Sequence, residues 1–210
     1  MNLENDCFKL REAICLLVNE LIRFLNKNQI TFIYSVVTKN LNEIQKEIRF
    51  DTNYKQNRKW QMSDHSILFL LRVLHHLIHS LGGSIFEIMK KTNDLADLLC
   101  PYLKHPSILI KLTSCHIFKI FAEKNPKWKS NLLSLILNLI TVYYAEAEGL
   151  NDMNLRDNSE GNIHETINGL YGHSICLSLL LRNTDFNLQS IPYDIANSIF
   201  ETAKSKFFLK

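Results

Sequence analysis

His75, His76 and His79 raise the first chemical question. Two histidines four residues apart on a helix share a face, as a pair of imidazole metal ligands would. The zinc-protease pattern needs a glutamate directly after the first histidine. His76 occupies that place, and no later carboxylate or histidine stands at the spacing of a third ligand. Histidines lining a helix interface or groove are the better reading. Gly169-Leu170-Tyr171-Gly172-His173-Ser174 sets an imidazole beside a hydroxyl, but nucleophilic serine chemistry wants the order G-x-S-x-G on a turn that follows a strand, and neither is present. Cys115 and Cys176 lie within apolar helical runs, whereas a reactive thiol needs neighbours that make it acidic. There is no G-x-x-x-x-G-K-[ST] loop and no G-x-G-x-x-G after a strand to hold a nucleotide. The expectation is a protein that is not an enzyme, with no cofactor, no bound metal and no small-molecule substrate.

Charged stretches offer binding rather than catalysis. Lys55, Arg58 and Lys59 with Trp60 make a small basic patch that could touch phosphate or anionic lipid, although a solvated linker fits three charges better. Glu146, Glu148, Asp152, Asp157 and Glu160 make an acidic stretch that could dock a basic segment of a protein partner, with a solvated insertion as the competing reading. Over the whole chain, 24 Lys and Arg against 21 Asp and Glu leave a formal charge of +3, which argues against a dedicated nucleic-acid binder.

Those residues must be positioned by helices. Apolar residues recur at helical spacing nearly throughout, and only 6 Gly and 4 Pro in 210 residues leave little punctuation for strands. An N-terminal helical pair is expected over residues 1–50, its first helix carrying Phe8, Cys15, Val18 and Ile22 near one stripe and its second beginning near Ile30. A polar linker over 51–63 follows. Residues 64–147 then read as helical repeats. The first opens at Ser63 or Asp64, runs through Ile67, Leu71, Leu74 and Ile78, and ends at Gly82-Gly83. A shorter apolar piece, Ile85 to Met89, leads into a helix from Asp94 to Leu103.

From His105-Pro106 the next helix carries two stripes, one through Ile108, Leu112, Cys115, Phe118 and Ala122, the other through Ile110, Ile117 and Phe121. Lys111, Lys119 and Glu123 are left for a narrow wet arc, so this helix needs neighbours on two sides. After Asn125-Pro126 a helix from Trp128 bears an uncharged polar strip of Asn131, Ser134, Asn138 and Thr141, a poor solvent face. The acidic segment 148–162 reads as a loop, and residues 163–210 as a C-terminal helical pair. Helix pairs that cannot bury their apolar sides alone are the unit of an α-solenoid.

Five widely spaced cysteines without a C-x-x-C pair read as core residues in a reducing compartment. Met1 to Asp6 carries no basic region followed by an apolar one, so a secretory leader is not expected. The run Leu132 to Tyr144 is too short to cross a bilayer. The chain closes on Phe207-Phe208-Leu209-Lys210 with no polar capping helix, as an end module or piece of a longer stack would.

From Pro106 to Leu133 the order of proline, aliphatic run, Lys111, the small residues Thr113-Ser114-Cys115, Ala122 and Pro126 resembles a HEAT repeat. The segment Ile110 to Leu133, Gly169 to Ser174 with Leu177 to Leu181, and the pair Ile191-Pro192 are similar to the large HEAT-repeat accessory proteins of the clathrin adaptor complex of the trans-Golgi network and endosomes. Two departures stand out: Asn183 to Asn187 replaces a Gly-rich segment, and those proteins are very much longer. The resemblance implies an all-α fold of antiparallel helix pairs stacked as a HEAT or armadillo-like α-solenoid. It also implies a non-enzymatic scaffold in vesicle trafficking, cytoplasmic and peripheral at Golgi and endosomal membranes, with the adaptor complex or its accessory subunits as partners. A nucleic-acid or anionic-surface binding module is the alternative.

Overall fold

The structure, a computed structural model, describes residues 3–50, 59–82, 92–124, 126–152, 160–182 and 197–201. All regular structure among them is helical: α1 (Leu3–Ile22), α2 (Lys27–Phe50), α3 (Lys59–Leu81), α4 (Thr92–Leu103), α5 (Ile108–Lys124), α6 (Pro126–Asp152) and α7 (Glu160–Arg182). Residues 197–201 are helical as well. The all-α expectation is met. The chain divides into two compact units, Met1–Leu98 and Leu99–Lys210, with the division inside α4.

In the first unit α1 and α2 both pack against α3. This explains why α3 is buried on more than one side, through Ile67, Leu71, Leu74, Leu77 and Ile78. Among the described side chains of α1, Cys15 and Ile22 of the expected stripe are buried and Val18 is half-buried, while the Phe8 side chain lies outside the described ones; Glu12 meets Arg72 of α3 at 3.7 Å. The start of α2 is a reciprocal cap. The Asn26 side-chain oxygen accepts from the Gln29 amide at 3.0 Å, and the Gln29 side-chain oxygen accepts from the Asn26 amide at 3.0 Å. That cap moves the helix start ahead of Ile30, where periodicity alone had set it. Within α2, Ile30, Val37 and Leu41 are buried, and the Gln45 side-chain amide donates to the Leu98 carbonyl at 2.5 Å.

The expected helix start at Ser63 or Asp64 is early by about a turn in the structure, since α3 begins at Lys59 and takes in the last residues of the supposed linker 51–63. Lys, Gln and Met are good helix formers, so Asp64 continues a helix instead of capping one. The far end is as expected: Gly82 turns with φ of 52°, the left-handed conformation that ends helices. Residues 51–58, Ile85 to Met89, Asn125, Asn183 to Asn187, Ile191-Pro192 and Phe207 to Lys210 lie outside the described residues.

In the second unit α5, α6 and α7 pack against one another. Ser107 opens α5: its carbonyl accepts from Lys111, and its amide donates to His105 Nδ1 at 3.1 Å. Cys115, Ile117, Phe118 and Phe121 are fully buried, so α5 is enclosed on two sides, as its two stripes predict. Two positions differ from expectation. Ile108 is exposed, and Lys111, expected on the wet arc, is only 2% exposed. Pro126 begins α6, whose Leu132, Leu133, Ile136, Leu137 and Ile140 are buried. Trp128 lies against Phe121, with ring centroids 4.5 Å apart. The uncharged strip Asn131, Ser134, Asn138 and Thr141 is exposed.

Candidate functional site

The segment Gly169 to Ser174 is where α7 meets the rest of its unit. Gly172 and Gly169 lie one turn apart and bring the helix backbone close to two neighbours. A Cβ on Gly172 would stand 1.8 Å from the Leu103 carbonyl oxygen, and one on Gly169 would stand 3.2 Å from the Tyr143 ring. Only glycine allows the first approach. His173 follows on the inner side, fully buried. Its Nδ1 lies 2.7 Å from the Gly169 carbonyl oxygen, which assigns the proton to Nδ1 and the lone pair to Nε2. That Nε2 has no hydrogen-bond partner among the described residues, and the Tyr143 ring packs beside the imidazole at 5.1 Å. Burial, with the nearby Lys104 charge, brings the pKa down to about 4, despite the bond to Gly169 that works the other way. His173 is therefore neutral at physiological pH and closed off from solvent.

The cysteines are equally closed. The Cys115 thiol points at the Gly172 carbonyl, 3.8 Å away. Burial raises the Cys176 thiol well above the ordinary value, and the neighbouring thiols Cys115 and Cys100 raise it further. Three thiols from α4, α5 and α7 thus meet in one core, a meeting that their wide spacing in sequence concealed. Burial holds the Cys176 thiol in its protonated form.

Two lysines frame this helix. Lys104 Nζ donates to Glu165 at 3.1 Å and lies 5.1 Å from the centre of the Tyr143 ring. Burial opposes its charge, but Tyr143 and Glu165 outweigh burial and raise the pKa. Lys111 runs its aliphatic stem through the packed interior to α7, where Nζ donates to Asn168 Oδ1 at 2.7 Å and lies 5.0 Å from the centre of the Tyr171 ring. This removes it from the solvent arc, and burial lowers its pKa.

On α3, the His75 and His76 rings meet edge to face, with centroids 5.4 Å apart. Burial lowers the His76 pKa, with the His79 and Arg72 charges adding to the effect. No group of three or more His, Cys, Asp or Glu among the described residues is arranged to hold a metal.

The acidic residues are placed unequally. Helix α6 runs on to Asp152 and α7 begins at Glu160, so the segment expected to be a loop, 148–162, is helical at both ends. Glu146 faces α7 and accepts a long contact from the buried Thr166 hydroxyl at 3.5 Å. Glu148 is exposed beside Tyr144, whose phenol pKa is raised by desolvation and by its bond to Glu148. Two residues apart on a helix, the two carboxylates point to nearly opposite sides. The side chains of Asp152 and Glu160, and all of Asp157, lie outside the described residues.

The feature that periodicity left unremarked is on α1. Leu10, Ile14, Leu17 and Leu21 are 62%, 40%, 58% and 51% exposed, and Phe24 just beyond the helix is 84% exposed. Their four-three-four-three spacing puts them on one stripe, separate from the Cys15 and Ile22 side that packs on α3. Isolated exposed leucines need no explanation; an aligned row of this size does.

No family model matches the chain, and neither a curated protein nor a solved structure matches it. No helix among the described residues is long and apolar enough to cross a membrane.

Proposed function

We propose that this chain is a non-enzymatic, protein-binding helical scaffold. The observation that carries the reading is a division of labour among side chains. His173, Cys115 and Cys176, which could have done chemistry, are sealed into helix packing, His173 and Cys176 in neutral form, while apolar side chains suited to protein contact stand exposed. The two-sided burial of α5 against α6 and α7 also supports a stacked HEAT-like arrangement, in which each helix pair depends on its neighbours for a complete core.

Service to the clathrin adaptor between Golgi and endosomes is the more specific form of this proposal, and it rests on the sequence resemblance of Ile110 to Leu133 and Gly169 to Ser174. Affinity purification of the tagged chain from its native cells, read by mass spectrometry, tests it. Recovery of adaptor or adaptor-associated subunits is the expected result. A stably expressed chain that recovers other proteins and no adaptor component refutes the trafficking assignment, and one that recovers no protein at all refutes the scaffold.

A further inference from the structure

We propose that α1 is a self-association surface, on which a second copy of this chain docks antiparallel through Leu10, Ile14, Leu17 and Leu21. The spacing is that of a coiled-coil seam, which matches another helix bearing the same row. The row is already held firmly from behind, because Cys15 and Ile22 are buried, α1 packs on α3 and Glu12 pairs with Arg72. No rearrangement is needed to present it.

Charge selects a second copy, and the row supplies part of the area that one needs. The exposed fractions of the four aliphatic residues and Phe24 amount to on the order of 500 Å² per copy. A stable interface takes roughly 800 Å² from each partner, so the row supplies the apolar centre and leaves the rim to its flanks. Lys9 and Glu20 are exposed on the same flank, toward opposite ends of the row, with Glu20 also paired to Arg23 of its own chain at 3.1 Å. A twofold axis near Cys15 and Leu16 sets Leu10 against Leu21 of the other copy and Ile14 against Leu17. It also brings Lys9 of each copy to within about 3 Å, along the helix axis, of the level of Glu20 in the other. Parallel docking, about a twofold along the helix axes, would instead put the Lys9 to Glu20 flanks of the two copies on opposite sides of the seam, where the two charges do not meet. The Lys9 to Glu20 pairing is therefore available only in the antiparallel orientation.

Multi-angle light scattering on the full chain across a concentration series, with sedimentation velocity as a check, tests this. A concentration-dependent dimer is expected. Leu17→Glu, at an exposed position near the axis, should raise the dissociation constant by about a hundredfold or more while leaving the helical circular dichroism unchanged. Lys9→Glu and Glu20→Lys should each weaken the dimer, and the double exchange should restore it. A chain that stays monomeric to about 100 μM, well above the usual range for specific association, overturns the proposal. So does a dimer indifferent to Leu17→Glu. A monomer that instead binds anionic phospholipid vesicles assigns the row to a lipid surface, which also overturns it.

Discussion

Gly172→Ala is the substitution whose outcome the structure constrains most tightly. The new methyl carbon would lie 1.8 Å from the Leu103 carbonyl oxygen and 2.8 Å from its carbonyl carbon. Both obstacles are backbone, so no rotamer change relieves the clash, and α7 must retreat from the end of α4 by about 1 Å in an interior packed as densely as a crystal. Overpacking of this kind costs about 1–3 kcal/mol, and the absence of any side chain able to yield argues for the upper end. Alanine returns at most about 1 kcal/mol through its better helix propensity. The net loss is about 2 kcal/mol, or about 4–8 °C in melting temperature for a chain of this size. Gly169→Ala is the internal control, since its methyl would meet only the Tyr143 ring at 3.2 Å, a side chain that can tilt, and the propensity gain should leave the change within about 1 kcal/mol of zero. Urea unfolding followed by circular dichroism measures both variants, with unchanged m-values as the check that only stability moved. A Gly172→Ala protein as stable as the parent, or a Gly169→Ala protein that loses more, would refute the backbone-contact reasoning.

Three further outcomes follow from the same unit. The folded-state pKa of His173 is about 4, below its ordinary value, so the folded form binds fewer protons than the unfolded chain between roughly pH 6.5 and 4. Its contribution, on the order of 3 kcal/mol, should be complete above that window and be lost as pH falls through it; urea midpoints for the parent and His173→Gln should diverge in their pH dependence across this range, and parallel curves would contradict the assignment. Lys111→Met should keep most of the stability, because the aliphatic volume remains and the desolvated charge goes, whereas Lys111→Ala should lose about 2 kcal/mol in thermal or urea melts; equal losses would mean that the bond to Asn168, rather than the buried stem, carries the interaction. Cys115 and Cys176 should react with a thiol reagent only as fast as the unit opens, so their labelling should accelerate with urea, and rapid labelling of native protein would contradict their burial.

Periodicity made the helices legible, and it also exposed the two-sided burial of α5, since Cys115 and Phe118 lie on one stripe and Ile117 and Phe121 on another. It misjudged starts where the local signal was of another kind. The Asn26 to Gln29 cap was present as an N-x-x-Q pattern, but it is read from side-chain hydrogen bonds and not from hydrophobic spacing. Lys111 was misplaced because a lysine counts as wet in any binary pattern, and only the tertiary position of Asn168 and Tyr171 shows where a long stem can end. The convergence of Cys100, Cys115 and Cys176 was hidden for the same reason: three positions on three helices become neighbours only after those helices pack. The row on α1 was different, because its four-three spacing was visible; a helix with two apolar stripes does not reveal from sequence which of them its own fold will cover.

That last ambiguity bears on how such a chain can carry a function on a helix face. Net stability is a small difference between large terms, so a buried polar group is costly unless it finds a partner suited to it. Gln45 reaches the Leu98 carbonyl, Lys111 reaches Asn168, and the His173 Nδ1 proton has the Gly169 carbonyl. These contacts fix helix register in ways that apolar contacts alone do not, although His173 Nε2 keeps no partner among the described residues. An exposed leucine on α1 makes no comparable demand on the core: changing Leu10 or Leu17 alters what the surface can bind at little expense to the fold. Function carried by an apolar helix face can therefore vary independently of the packing at Gly172.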